Sequence, residues 1–380
     1  MTTVRVLERI AEVAPAAWNA LVRDESPFLE WEWLASLEEA GTVAPDTGWL
    51  PQHLTVWEGE RLVGACPLYV KGHSMGEFVF DHGWADAAER AGIRYYPKLL
   101  VAVPFTPVTG ARFLSLPGGE DAVLAVLPEV VARIMRDQGF SSAHVNFCRP
   151  PEAAALEAHG WLKRTGFQYH WHNEGYEDFD GYLAGLRSKR RNQVRRERRE
   201  LDSQGVEIVS LTGDDIPADI VPTMYALYRT TVDQRVWGNA YLNERFFELV
   251  VERFRSRLCF VLARQAGRVV AGTFNVQKGD ALYGRYWGAF EPLRHLHFNV
   301  CYYAAIDHSI RHGLARFEPG AGGEYKHLRG FDARATESMH LLRDPRLRDA
   351  VARYLERERA AVRQDIDWLG TRTALKRDRA

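Results

Sequence analysis

Residues 316–331 read RFEPGAGGEYKHLRGF and gather two carboxylates, a lysine and a histidine around Gly320, Gly322 and Gly323. Glu318 closes a predicted short strand, 315–318, immediately before Pro319 and Gly320, and open α/β sheets build their sites at such strand ends. Gly320, Gly322 and Gly323 let the backbone approach a ligand closely and leave N–H groups to offer it. Glu318 and Glu324 have the chemistry of a base or an amine anchor. Lys326 and His327 have that of a phosphate or oxyanion contact. By residue type alone, the same stretch also reads as a glycine-rich turn with solvated charges. Upstream, Arg285 and Tyr286 lie in a predicted strand, 281–289. An arginine among apolar residues needs a partner, because an unpaired buried charge is costly. That partner is either Glu318 or a bound carboxylate or phosphate. In the first half, the segment FVFDHGWAD supplies Asp81 and His82, and Lys98 follows Tyr95 and Tyr96. By residue type alone these read as an ordinary surface loop.

A second feature is electrostatic. Arg187, Lys189, Arg190, Arg191, Arg195, Arg196, Arg198 and Arg199 crowd positions 187–199, against one acid, Glu197. Leu183, Leu186, Val194 and Leu201 form only a thin apolar stripe. The pattern predicts a helix over 181–204 with a broad cationic surface. Such a surface suits the phosphates of a nucleic acid such as tRNA, an acidic partner or a phosphorylated lipid carrier. The alternative is a solvated face balanced by acids of the C-terminal tail. The whole chain carries 49 Lys and Arg against 50 Asp and Glu, so any electrostatic function rests on this local clustering and not on a general basic coat.

The four cysteines, Cys66, Cys148, Cys259 and Cys301, are scattered, as expected of free thiols in a reducing cytoplasm. His295 with His297, and His308 with His312, match no metal motif, so no metal and no permanently bound cofactor is expected. The N-terminus lacks the apolar core of a secretory leader. No stretch approaches the ~20 apolar residues of a membrane-spanning helix. The reading is a cytoplasmic globular protein.

These residues must be positioned by a repeated set of elements. Two predicted strands, 53–57 and 61–70, flank a Glu58-Gly59-Glu60 turn, and a strand over 97–107 and an amphipathic helix over 120–138 follow. The second half repeats the order. A strand–turn–strand over 259–276 is followed by the strand 281–289, a helix over 297–312 and the strand 315–318. The turns around Gly59 and Gly267 align, each ending in an apolar pair and a glycine. The expected fold class is α/β (α+β), a mixed and mostly antiparallel sheet with helices in each of two tandem domains. The expected boundaries are 1–165, 166–345 and a charged C-terminal helix, 346–380.

Three stretches resemble the Fem-type acyltransferases, a double-GNAT superfamily, and within it a branch of predicted bacterial N-acyltransferases. They are FQYHWHNEGYEDFDGYLAGLRSKRRNQVRRERR, MYALYRTTVDQ with YLNERFFELV, and YGRYWGAF through HLHFNVCYY to RFEPGAGGEYKHLRGF. The resemblance covers most of the chain. It implies two GNAT-like domains and transfer of an aminoacyl group from charged tRNA, or of another activated acyl group, to a small-molecule or peptide amine. It links such chemistry to peptide or cell-wall precursor modification and puts the acceptor cleft largely in the first half, which would make Asp81, His82 and Lys98 acceptor contacts. Relatives often carry an acid where Asn299 stands. Neither half has the Q/R-x-x-G-x-G/A loop that grips acetyl-CoA in simple GNAT enzymes, so aminoacyl-tRNA or another acyl-CoA is the expected donor. Two readings compete with this one: a conventional acyl-CoA-dependent GNAT enzyme, and a non-catalytic nucleic-acid binder using residues 187–199.

Overall fold

The computed structural model describes residues 2–233 and 240–376. The side chain of Glu324 and the last residues of the expected C-terminal helix, 377–380, lie outside the described residues. The chain forms two compact units: residues 1–166 with 335–364, and residues 167–334 with 365–380. In chain order the strands are β1 (Thr2–Leu7), β2 (Trp49–Pro51), β3 (His53–Glu58), β4 (Arg61–Cys66), β5 (Leu68–Lys71), β6 (Lys98–Val101), β7 (Leu114–Ser115), β8 (Ser142–Cys148), β9 (Leu162–His172), β10 (Val206–Thr212), β11 (Leu258–Gln265), β12 (Arg268–Lys278), β13 (Ala281–Ala289), β14 (Arg316–Glu318) and β15 (Asp332–Leu342). The fold class is the mixed α/β one expected from the sequence.

In the first unit, β1, β3, β4 and β7 form one antiparallel sheet. The second row runs β15, β8, β6, β5, β2, with β6 and β8 parallel. Helices α1 (Pro15–Val22), α2 (Trp31–Glu39), α3 (His82–Arg90), α4 (Glu120–Asp137) and α5 (Pro150–Ala158) surround them. Val123, Leu127 and Val131 recur at helical spacing along α4 and bury against Leu54, Val56, Leu99, Val101 and Val145. The long strand expected over 97–107 stops at Val101, before Pro104 and Pro107, which cannot donate to a ladder. After Ser26 the chain makes a single tight turn, Pro27–Leu29, and α2 starts at Trp31.

The second unit contains α6 (Phe179–Gly185), α7 (Ser188–Asp202), α8 (Ile220–Val232) and α9 (Glu244–Arg253). Its sheet runs β10, β11, β12, β13, β14, β9. Strand alternation sends Phe260, Leu262 and Phe274 to the face covered by α8 and α9, where Phe247 meets Phe274 edge-on. Val261, Ala263 and Ala271 point the other way, against Leu296 and Val300. These two belong to a helical stretch of α10 (Leu296–Phe298), a π turn (Asn299–Tyr303) and α11 (Ala304–Arg311). It connects β13 to β14, which pair in parallel as β6 and β8 do across α4. Both units thus follow one order: a strand, two helices, a hairpin, then two parallel strands joined across a long helix. Parallel pairing demands such a crossover.

The single basic helix expected over 181–204 is two helices. Asp178 caps α6 through the N–H of Gly181. The chain is extended at Leu186 and Arg187, where Arg187 N–H donates to the Ala374 carbonyl and Lys376 N–H donates to that of Gly185. The break buries Leu186 against Leu375. The last helix is α12 (Pro345–Thr371).

Close approach of α8 to the sheet depends on Gly288 in β13, where a Cβ would lie 1.8 Å from the Leu227 carbonyl oxygen. Gly288→Ala is expected to destabilise the second unit by about 3 kcal/mol or more, read as a lower denaturant midpoint. An unchanged midpoint would show that α8 tolerates displacement.

Candidate active site

Three adjacent strands build a polar row. The parallel pairing of β13 with β14 sets Tyr283 opposite Glu318, and the antiparallel pairing of β14 with β9 sets Arg316 opposite His172. Continuing that register brings His170 beside Glu318, with His170 Nε2 3.6 Å from Glu318 Oε2. Leu282, Phe317 and Trp171 fill the alternate row and point into the core. Hydrophobic burial of one row thus fixes the orientation of Tyr283, Arg316, Glu318 and His170 in the other.

Glu318 is 6% exposed. Its Oε1 accepts from Arg316 Nε at 2.8 Å, and Arg316 Nη2 reaches Tyr283 Oη at 3.1 Å. No hydrogen-bond partner among the described residues reaches Oε2. Burial pushes the carboxyl up to about 7, against the opposing charges of Arg316 and Arg285. His170 is pushed down to about 3, first by burial and then by Arg316, so its ring is neutral near pH 7. Glu318 therefore combines a buried position, one tethered oxygen and one available oxygen, which suits proton transfer near neutrality.

The loop after β14 closes over itself. Gly320, Gly322 and Gly323 all have positive φ, 84°, 73° and 86°, which side chains disfavour. At Gly320 a Cβ would lie 3.1 Å from the Gly284 carbonyl oxygen, so loop and strand pack backbone to backbone. Lys326 is buried and donates from Nζ to the Gly320 carbonyl at 2.6 Å. Burial pushes its ammonium down to about 8. His327 is half-buried, and its carbonyl accepts from Ala374 N–H. The pairing of β12 with β13 shifts register between Phe274 and Asn275, leaving Arg285 as the extra residue of β13. Arg285 is half-buried with its guanidinium 5.5 Å from the Tyr286 ring centroid, and burial lowers its pKa. Glu318, one of the two partners considered for Arg285, is bonded to Arg316. Tyr286 packs edge-on against Tyr228 at 5.0 Å.

On α7, Arg187, Lys189, Arg195 and Arg196 are exposed and Arg190 and Arg191 half-buried. Helical periodicity puts Arg191, Arg195 and Arg198 along one flank and Lys189 and Arg196 on the other. Arg198 and Asp202 also line a cleft of about 550 Å³ with β10 and with Asp307, His308, Arg311 and His312 of the long helix and its end. Glu197, the acid among the cations, points inward and is bonded to Arg329. Asn299 sits in the π turn and donates to the carbonyls of His295 and Glu197, the backbone task of a buried amide. Among the described residues, no group of His, Cys, Asp and Glu is arranged to hold a metal.

The first-unit residues separate. Lys98 is fully buried, donating to Ser74 Oγ at 2.8 Å, Glu77 Oε2 at 2.9 Å and Asp81 Oδ2 at 2.5 Å. Tyr95 Oη also donates to Asp81. Asp81 is held well below the usual carboxylate range: burial opposes its ionisation, and Lys98 and His144 outweigh it. Burial raises Glu77 to about 7 and lowers the nearby Lys71 to about 7. His82 lies outside this network, exposed and stacked on Phe80. The sequence singled out Glu318 but not its companions. The two-residue spacing of Arg316 and Glu318, and of His170 and His172, was the available signal, since period two puts each pair on one strand face.

The fold and the family comparison together define a class, a FemAB-like protein made of two repeated mixed α/β units. The chain belongs to the FemAB-like family, described as peptidoglycan biosynthesis/recognition, whose profile matches residues 9–377. Among solved structures it is similar to FemX, at TM-score 0.55 and 10% identity over 90% of this chain and 98% of that one. It is similar to L-PGS from Bacillus licheniformis, at TM-score 0.54 and 8% identity over 90% and 97%. The C-terminal domain of a putative lysylphosphatidylglycerol synthetase from Agrobacterium fabrum gives TM-score 0.56 and 9% identity over 87% and 92%. No curated protein matches the sequence. No helix among the described residues is long and apolar enough to cross a membrane.

Two expectations follow. Folding raises the Glu318 pKa from 4.5 to about 7, so the folded state holds the extra proton. Wild type should therefore lose stability relative to Glu318→Gln as pH rises from about 4.5 through 7, by on the order of 3 kcal/mol, measured by denaturant melts across pH. A difference independent of pH would contradict the burial argument. Lys98→Met strands Glu77 and Asp81 and should lower stability by about 3–5 kcal/mol; a loss under about 1 kcal/mol would show that the network is not needed for folding.

Proposed function

We propose that the protein is an N-acyltransferase that moves an activated acyl or aminoacyl group to an amine, with Glu318 as the base. The observation that carries this reading is the available Oε2 of a buried carboxylate beside a glycine-rich loop. An amine is an ammonium at neutral pH and must lose a proton before it attacks. Glu318 accepts that proton, and the amine nitrogen bonds to the acyl carbon. The ester or thioester bond to the leaving group breaks, and the released hydroxyl or thiol takes up a proton. An activated donor already has a good leaving group, so positioning and one modest base account for the rest. Backbone N–H groups around Gly320–Gly323, and Lys326 with His327, are the proposed oxyanion or phosphate contacts. Glu324 is a second proposed carboxylate, and Arg285 and Tyr286 proposed substrate contacts.

Aminoacyl-tRNA is the donor we favour, because the exposed cations of α7 suit a phosphate backbone. The turn between β13 and α10, residues 290–295, holds no glycine to cradle a pyrophosphate. The acceptor is a small-molecule or peptide amine, with Asp81, His82 and Lys98 in the proposed acceptor half. Peptide or cell-wall precursor modification in the cytoplasm is the setting, in keeping with the family description.

The test presents purified protein with aminoacyl-tRNA or acyl-CoAs and a panel of amines, and follows amide formation by mass spectrometry. The expected result is product from aminoacyl-tRNA that falls about 10²–10⁴-fold in Glu318→Gln. Product only from an acyl-CoA would overturn the tRNA assignment. Salt-dependent RNA binding without product from any donor would favour a nucleic-acid binder.

A further inference from the structure

Among the described residues, the inward side of α7 and the loop carrying Lys326 meet at one buried ion pair. Arg329 Nη2 lies 3.2 Å from both Glu197 oxygens. Tyr303 donates to the same carboxylate and accepts from Arg329 Nε at 2.9 Å. Gln193, one turn earlier on α7, adds a bond to Glu197 Oε1 at 2.8 Å. The guanidinium also lies over the Phe298 ring, 3.5 Å from its centroid, and Arg329 Nη1 donates to the Tyr325 carbonyl at 3.2 Å. Tyr325 precedes Lys326, whose Nζ holds the Gly320 carbonyl. An unbroken chain of contacts therefore runs from α7 through Arg329 to the glycine loop.

The two ends differ in what they can meet. The exposed side of α7 carries cations that repel one another, while its inward-facing Glu197 is held by Arg329 of the loop, by Tyr303 and by Gln193. An anion docked on the exposed side relieves that repulsion and steadies α7. Anything that steadies α7 also steadies Glu197, and through Arg329 the loop. Such coupling acts equally in both directions.

We propose that Glu197 is a positioning residue that transmits docking of a phosphate-rich donor on α7 to the Gly320–Lys326 loop. The proposal rests on the transferase reading given above and adds a route by which donor binding organises the site. Glu197 touches neither donor nor acceptor, and it acts through Arg329.

Hydrogen exchange of residues 320–331 with and without uncharged tRNA tests this in wild type, Glu197→Gln and Tyr303→Phe. The last keeps the ion pair and removes one hydroxyl, so it remains informative if Glu197→Gln folds poorly. In wild type, tRNA should slow loop exchange roughly tenfold. Glu197→Gln should bind tRNA up to about tenfold more weakly, as reciprocal coupling requires, and lose most of that protection, and Tyr303→Phe should lose part of it. In the transfer assay, kcat should fall roughly tenfold in Glu197→Gln, with the acid limb of the pH profile unchanged. Full loop protection and full kcat in a folded Glu197→Gln would overturn the proposal. Binding of tRNA to wild type without loop protection would overturn the coupling and leave the transferase reading standing. No tRNA binding at all would sink the coupling together with the tRNA assignment.

Discussion

A carboxylate buried at a strand end is expensive unless its surroundings compensate, and the second unit is organised around that constraint at Glu318. Arg316 stands two residues earlier on the same strand face and takes one oxygen. Tyr283 holds the far side of the same guanidinium from the next strand. The alternate row of Leu282, Phe317 and Trp171 is driven into the core, and this fixes which way the charged row faces. A one-residue slip in register would exchange the rows and bury Arg316 in apolar surroundings, so packing and electrostatics enforce the same alignment. The remaining oxygen has no hydrogen-bond partner among the described residues, and the proposed chemistry falls to it.

The loop beyond that strand end is shaped by two lysine and arginine contacts. Lys326 folds under the three glycines, and Arg329 ties the loop's end to α7. The cationic character of α7 and the shape of the loop are consequently not separate features. The acid that interrupts the basic run is the residue by which the helix grips the loop. The π turn at Asn299–Tyr303 serves the same contact, since it supplies Tyr303 to Glu197 and turns Asn299 toward backbone carbonyls.

Much of the fold is legible in the sequence. The hairpins around Gly59 and Gly267, the α4 stripe, the strand 281–289 and the helix read over 297–312, found at 296–311, follow from apolar period and glycine turns. Glu318 was marked by its place at a strand end before Pro-Gly. What escaped the sequence was pairing between distant segments. Nothing local in FQYHWH says that His170 will stand beside Glu318, because strand order is set by the whole sheet. The split of the basic helix at Leu186 escaped for a similar reason. The residues that hold it, Ala374 to Lys376, come from the far end of the chain. Lys98 read as a possible acceptor contact because residue type does not reveal burial; in the fold, two carboxylates and a serine enclose it.

The central claim is that Glu318 takes the proton of the attacking amine. Its most direct test is the pH dependence of kcat/KM for amide formation, with donor and acceptor in hand. The account predicts a rate that rises with pH through a single ionisation near 7, and a Glu318→Gln enzyme in which that ionisation is absent. A folded Glu318→Gln variant that keeps both the rate and the limb would contradict it, and the base would have to be sought elsewhere.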